Sequence, residues 1–453
     1  MPPKKSHELI PSASRLIHSL RDLGYEFTSA IADLVDNSIE AGASTVDIQI
    51  QFAGSESWVR IADNGSGMSA ASLKEAMRYG SSSRDYGEDD LGKFGLGLKT
   101  ASMSQCKTLT VSSKPGGTGA VSSFSWDLDH IAKANEWAIL SVLKNDLPQP
   151  IRQSLEDGYH TVVLWEKLDR VLDYKYPNGE AARKFIHTLT RQTEEHLAMV
   201  FHRFLAGEAR KRRLQIRLNG NQIEPWDPFC RREPRTRSLA PCSIPISHDG
   251  KNGEVHFEPY VLPHQNRFSS PDAHERASGP EKWNKQQGFY IYRGDRLIQS
   301  GGWSNMRTLD EHHKLARVAL RFGPKLDDAF KINVAKMRVQ LPAQLRAHLE
   351  KLLAPVISAA NSEYRQGGGE KTPPSPTIKP APAPVAARPA TVAPQVVVTS
   401  ENPKAQDAPP TPVIQSLYTL DEVKQRLLAV AEDEEKPVVE RLFGKLIPEG
   451  NRQ

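Results

Sequence analysis

The chain has 453 residues, 38% hydrophobic and 25% charged, with a formal charge of +5; this is an ordinary soluble composition with room for about three domains. Its three cysteines, Cys106, Cys230 and Cys242, are scattered, which excludes a disulfide framework and a cysteine-based metal site and suits a reducing cytoplasm. The first residues, Met1-Pro-Pro-Lys-Lys-Ser-His7, hold no apolar segment, and no apolar run is long enough to span a bilayer, so neither a signal peptide nor a membrane span is expected.

Leu9, Ile10, Leu16, Ile17, Leu20 and Leu23 predict a short helix over 8–24. Tyr25 and Phe27 then lead into Asp33-Leu-Val-Asp-Asn37-Ser-Ile-Glu-Ala-Gly-Ala43. Here Ala30, Ile31, Leu34, Val35 and Ile39 fall at helical spacing. Asp33 and Asn37 are one turn apart and share a face. A carboxylate can orient and deprotonate a water, and a carboxamide oxygen can coordinate a hard cation such as Mg²⁺. Val46, Ile48 and Ile50 alternate with polar residues over 45–52, and Trp58–Ala62 continues the pattern, so two strands are expected. The second runs into Asp63-Asn-Gly65-Ser-Gly67-Met68, a glycine turn.

A helix over 70–79 is followed by glycine, serines and charges, Gly80-Ser-Ser82-Ser-Arg84 and Glu88-Asp-Asp90, a composition that predicts a mobile loop. Leu91-Gly-Lys93-Phe94-Gly95-Leu-Gly97-Leu-Lys99-Thr100 then opens another helical pattern. Such a loop either turns at the surface or sets backbone N–H groups and a helix N-terminus against phosphate. Short alternating runs at 109–113, 121–126, 137–143 and 161–165 predict further strands, and a long helix is expected over 179–206. Arg210-Lys-Arg-Arg213 and Arg231, Arg232, Arg235 and Arg237 are either a solvated face or a track for a phosphate backbone. A hairpin is expected across Asn219-Gly220-Asn221, strands over 255–261, 288–292, 296–298 and 316–322, a second hairpin across Gly294-Asp295, and a helix over 343–364. From Gly367 to about Pro412 the sequence is rich in Pro, Ala, Thr and Val, as in an extended linker. Two short amphipathic helices, over 420–433 and 437–446, end the chain as a docking element for a partner or for the protein's own body.

The texture LVDNSIEAGA, IADNGSGM and GKFGLGLKTA resembles the GHKL ATPase superfamily, above all its MORC and MutL branches, and the order of the three motifs matches. The resemblance implies an α+β fold: a GHKL-type α/β sandwich over 1–206, a transducer-like α/β domain over 207–364, a disordered Pro/Ala-rich linker over 365–415 and a short helical tail over 416–453. It implies ATP and Mg²⁺ as ligands, Asp33 as general base and Asn37 as the Mg²⁺ ligand. Asp63 would accept the adenine amino group, Gly65 and Gly67 would let the backbone approach the base, and Met68 would cover it. Ser82, Lys93, Phe94, Gly95, Gly97 and Lys99 would belong to a lid over 80–98 and its phosphate contacts, and Thr161 to a fourth motif. Lys336, within Phe330-Lys-Ile-Asn-Val-Ala-Lys336-Met-Arg338, would reach the γ-phosphate. Asp33 stands where the family usually has Glu, one methylene longer.

On this resemblance the chain is an ATP-hydrolysing switch that dimerises with ATP and works with DNA or a DNA-handling complex. The other readings are a heat-shock-type chaperone, which needs a larger client-binding region than 365–453 offers, a sensor kinase, which needs a phosphoacceptor helix ahead of Asp33, and a non-hydrolysing nucleotide-binding scaffold. No Walker loop is present.

Overall fold

The computed structural model describes residues 11–22, 24–79, 97–209, 213–332 and 339–369. The chain divides into two units, 1–374 and 375–453, and all described residues lie in the first. The linker and helical tail expected over 365–453 lie outside the described residues from 370 onward, and the helix before them runs over Ala343–Gly369, slightly past its expected end. Among the described residues no helix is long and apolar enough to cross a membrane.

The first sheet has eight strands: β1 (Thr45–Gln51), β2 (Trp58–Asp63), β3 (Thr108–Ser113), β4 (Ser122–Asp127), β5 (Leu140–Ser141), β6 (Thr161–Glu166), β7 (Gln215–Leu218) and β8 (Asn221–Gln222). Their order is β5-β4-β3-β6-β2-β1-β7-β8. All neighbours are antiparallel except β7, which lies parallel to β1 with Thr45 opposite Gln215. The strands expected from alternation are therefore present. The one expected over 137–143 shrinks to two residues, because Trp137 and Ile139 pack onto the helical core instead of pairing in a ladder.

The central strands β2 and β6 are buried on both faces. Val59, Ile61, Val163 and Trp165 join the core formed with the helices, including Ile31, Leu34 and Val35 of the helix Phe27–Glu40. Ala62, Val162 and Leu164 meet Leu147 and Ile151 on the other face. Ile151 comes from a helix, Gln149–Glu156, that the strand pattern did not announce, and Leu147 from the segment just before it. Only Ile151 and Ser154 of it are buried, and with the half-buried Leu155 one turn on its apolar stripe is narrow. The helix Leu128–Ala134 was also not expected. The long helix over 179–206 is interrupted: it runs over Glu180–Val200, Phe201 leaves helical geometry, and a short turn follows over His202–Leu205.

The second sheet holds β9 (Arg237–Ser238), β10 (Cys242–His248), β11 (Lys251–Val261), β12 (Gly288–Arg293), β13 (Arg296–Ser300) and β14 (Ala316–Phe322). Its main order is β10-β11-β14-β12-β13, with β9 paired to β11. β10 is an unexpected edge strand, disguised by Pro245 and by exposed polar residues at alternate positions. The helix Ala343–Gly369 seals this sheet through Leu345, Leu349, Leu353 and Val356. Both expected hairpins form: β7 and β8 join across Asn219-Gly220, and β12 and β13 across Gly294-Asp295.

Candidate functional site

The helix Phe27–Glu40 lies across the first sheet and is almost wholly buried, Asp33 and Asp36 included, at 2% and 0% exposure. Asn37 is its one exposed residue. Asn37 is therefore the one position where this buried helix opens to solvent. Asp33 lies one turn earlier on that side. Its Oδ2 accepts the Tyr25 hydroxyl at 2.9 Å. Burial, together with the neighbouring carboxylate, raises the Tyr25 phenol far above its ordinary range, so Tyr25 stays a donor to Asp33 at any physiological pH. An added Cβ on Gly97 would stand 3.8 Å from Asp33 Oδ2, which places the start of the helix Gly97–Met103 beside this carboxylate.

Asp63 ends β2 on the same side of the sheet. Its Oδ1 accepts the Gly65 N–H at 2.9 Å and its Oδ2 the Ser38 hydroxyl at 3.1 Å. Burial outweighs those two bonds and raises the Asp63 carboxyl above its ordinary value. Thr161 lies opposite Asp63 in the ladder, and its hydroxyl pairs with Ser113 Oγ at 2.9 Å. Ser113 Oγ also accepts the Met68 N–H at 2.9 Å. His160 Nδ1 donates to the Gly65 carbonyl at 2.5 Å, which fixes the proton on that nitrogen because a carbonyl only accepts. Asn37, Asp63, Thr161 and the turn 64–68 thus gather at one end of β2, β3 and β6.

The glycines of that turn have a more specific reason than closeness to a base. A Cβ on Gly65 would meet Ala41 Cβ at 2.8 Å and Ala41 O at 2.9 Å. Gly67 has φ +66°, and its Cβ would fall 2.0 Å from the Lys114 carbonyl. The turn is strapped down by Ser66 N–H to Ala41 O and Gly116 N–H to Ser66 O, both 2.8 Å. Gly67→Ala is therefore expected to destabilise the fold by about 1–3 kcal/mol through overpacking against backbone, read as a lowered thermal midpoint. Met68 is half-buried and packs against the helix-side core.

Lys99 does not face outward. It is 2% exposed, and its Nζ donates to the Ala76 and Arg78 carbonyls at 3.0 and 2.7 Å, closing the C-terminal end of the helix Ala70–Met77. Burial pulls its ammonium pKa down to about 8. The lid expected over 80–98 lies outside the described residues apart from Gly97 and Leu98, which belong to the helix Gly97–Met103. Ser82, Lys93, Phe94, Gly95 and Lys336 lie outside the described residues.

Sequence reasoning passed over Tyr25 as a partner of Asp33, and Ser38, Ser113 and His160 as supports of the turn. It also missed Asp36 and Arg296: Arg296 Nε sits 2.8 Å from Asp36 Oδ2, and its NH2 sits 3.7 Å from Asp33 Oδ1. Asp36 carried a signal, being a charge in the middle of an apolar helical run. Arg296, 260 positions away, carried none.

Residues 25–157 match the profile of the histidine kinase-, DNA gyrase B-, and HSP90-like ATPases. The DNA mismatch repair protein MutL of Edwardsiella ictaluri is 29% identical over 198 residues, 41% of this chain and 29% of that protein. MutL of Shewanella sediminis is 41% identical over 90 residues, 19% of this chain and 14% of that protein; MutL of Shewanella denitrificans is likewise 41% identical over 90 residues, 19% and 13%. The chain spans less than a third of the length of these relatives. The motif order, the eight-stranded sheet and the matched profile agree: residues 25–157 are similar to the histidine kinase-, DNA gyrase B-, and HSP90-like ATPases, and MutL proteins are among the relatives the chain matches.

Proposed function

We propose that this protein binds ATP with Mg²⁺ between the Asn37 face and the turn 64–68, hydrolyses it, and uses the nucleotide state as a conformational switch. The observation that carries this reading is the isolated exposure of Asn37 on an otherwise buried helix, one turn from Asp33 and next in sequence to Ser38, which bonds Asp63. Asp63 accepts the adenine amino group, and its support from Gly65 and Ser38 holds it in place for that contact. Asp33, oriented by Tyr25, takes the proton from the attacking water. The donor set suits Mg²⁺: one carboxamide oxygen is offered, and no cluster of three acidic, His or Cys side chains that could form an all-protein cage occurs among the described residues. Mg²⁺ commonly takes only one or two protein ligands and completes its shell with phosphate and water. When bound, it neutralises phosphate charge. Lys336 supplies a further cation to the γ-phosphate, and Ser82, Lys93, Phe94, Gly95 and Gly97 close over it.

Domains over 1–206, 207–364, 365–415 and 416–453 are part of the proposal. Residues 215–222 fall in the second of these yet complete the first sheet, so the two are joined by shared hydrogen bonds as well as by chain. The MutL relatives are named for DNA mismatch repair, and DNA or a DNA-handling complex in the cytoplasm is the proposed client, with two copies brought together by ATP. Sedimentation with ADP and then with a non-hydrolysable ATP analogue, each with and without duplex DNA, tests this. A dimer is expected only with the analogue, and a monomer under every condition removes the switch.

A further inference from the structure

The tip of the β12–β13 hairpin, Arg293-Gly294-Asp295-Arg296, is unusual in what it holds. Arg293 and Arg296 face each other in register across the turn, yet their side chains leave in different directions. Arg293 pairs with Asp327 through two bonds, Nε to Oδ1 at 2.8 Å and NH2 to Oδ2 at 2.9 Å. Asp327 stands just ahead of the stretch that contains Lys336. Arg296 reaches the other way, into the helix Phe27–Glu40. Its Nε lies 3.0 and 2.8 Å from the two Asp36 oxygens, and its NH2 lies 3.7 Å from Asp33 Oδ1. Its guanidinium rests 5.9 Å from the Phe201 ring centre. Asp295, between them, is 3.7 Å from Arg203. Arg296, Asp36 and Asp33 are exposed by only 4%, 0% and 2% at their side chains.

An arginine buried to this degree is fixed by its planar fork, not merely attracted by charge. Removing water from the cluster strengthens each contact and makes alternative positions costly. Asp33 is consequently held from two sides, by Tyr25 from its own segment and by Arg296 from the second sheet.

We infer that Arg296 is a positioning residue for ATP turnover. It holds the helix that carries Asp33 at the distance where the shorter Asp side chain meets the attacking water, so hydrolysis depends on the second sheet being seated against the first. The hairpin tip then ties Asp33 and Asp36, through Arg296, and Asp327, through Arg293, to one turn. This inference rests on the assignment of Asp33 as the base.

The test uses the full chain and compares the wild type, Arg296→Lys, the charge-neutral pair Arg296→Gln with Asp36→Asn, Asp33→Asn, and the triple variant. Binding of a non-hydrolysable ATP analogue is measured by calorimetry, and kcat and KM by phosphate release. The neutral pair leaves the net charge of the cluster unchanged, because one positive and one negative side chain are removed together. It is expected to bind the analogue as the wild type does and to lose about a hundredfold in kcat, the effect of a small misplacement of a reacting group. Arg296→Lys keeps the charge without the fork and is expected to lose less. In the triple variant the Arg296 change adds no loss to that of Asp33→Asn, because it acts through Asp33. Wild-type kcat in Arg296→Lys and in the neutral pair overturns the inference, as does a multiplicative loss in the triple variant. If Asp33→Asn itself turns over at the wild-type rate, the assignment of the base fails and the inference falls with it.

Discussion

Asp33→Ala is expected to lower ATP turnover by about a hundred- to ten-thousandfold, the range for losing a positioned general base, while ATP binding persists. The separation of the two effects follows from where Asp33 sits. It is buried and bonded to Tyr25, whereas Asp63, which would hold the nucleotide, keeps its own bonds from Ser38 and Gly65. The measurement is steady-state phosphate release beside calorimetric titration with Mg-ATP. Unchanged turnover removes Asp33 from the mechanism. Tyr25→Phe should reproduce a fraction of the loss, because it removes the hydroxyl that aims the carboxylate and nothing else.

Asp63→Ala is expected to act on the opposite quantity. A hydrogen bond to a charged group contributes about 1.5–3 kcal/mol, so ATP affinity should fall by about tenfold or more and the preference for adenine over guanine should collapse with it. Competition binding with ATP and GTP reads both. The carboxyl also has a pH signature. Burial holds its pKa above the ordinary value, so it takes up a proton at a higher pH than a solvated aspartate does. As pH falls, the charged acceptor is lost early, and adenine selectivity should weaken before exposed carboxylates titrate. Selectivity that is flat down to the ordinary aspartate range contradicts Asp63 as the reader.

Much of this arrangement was legible in the residues because it is local. Val46, Ile48 and Ile50 alternate as a half-buried strand must, and all three are buried. Asp33 and Asn37 are one helical turn apart, which spacing alone places on one side. The glycines of Asp63-Asn-Gly65-Ser-Gly67 announced a tight turn, though not that Ala41 and Lys114 are what crowd it. Other features depend on pairings that no local pattern encodes. Lys99 reads as a cation beside a glycine loop, but its ammonium finds two free carbonyls at a helix end before it finds solvent. The helix Gln149–Glu156 presents too narrow a stripe to be told from a loop. Arg296 looks like any hairpin arginine until the second sheet brings it to Asp36.

The parallel strand β7 carries a consequence for how the molecule comes into being. Thr45 waits for Gln215, so the outer border of β1 stays raw while the intervening chain is synthesised. An uncovered border of alternating Val46, Ile48 and Ile50 invites foreign strands, and closure by so distant a segment is slow. The β1 border is thus covered only once residues 215–218 have been made and have docked.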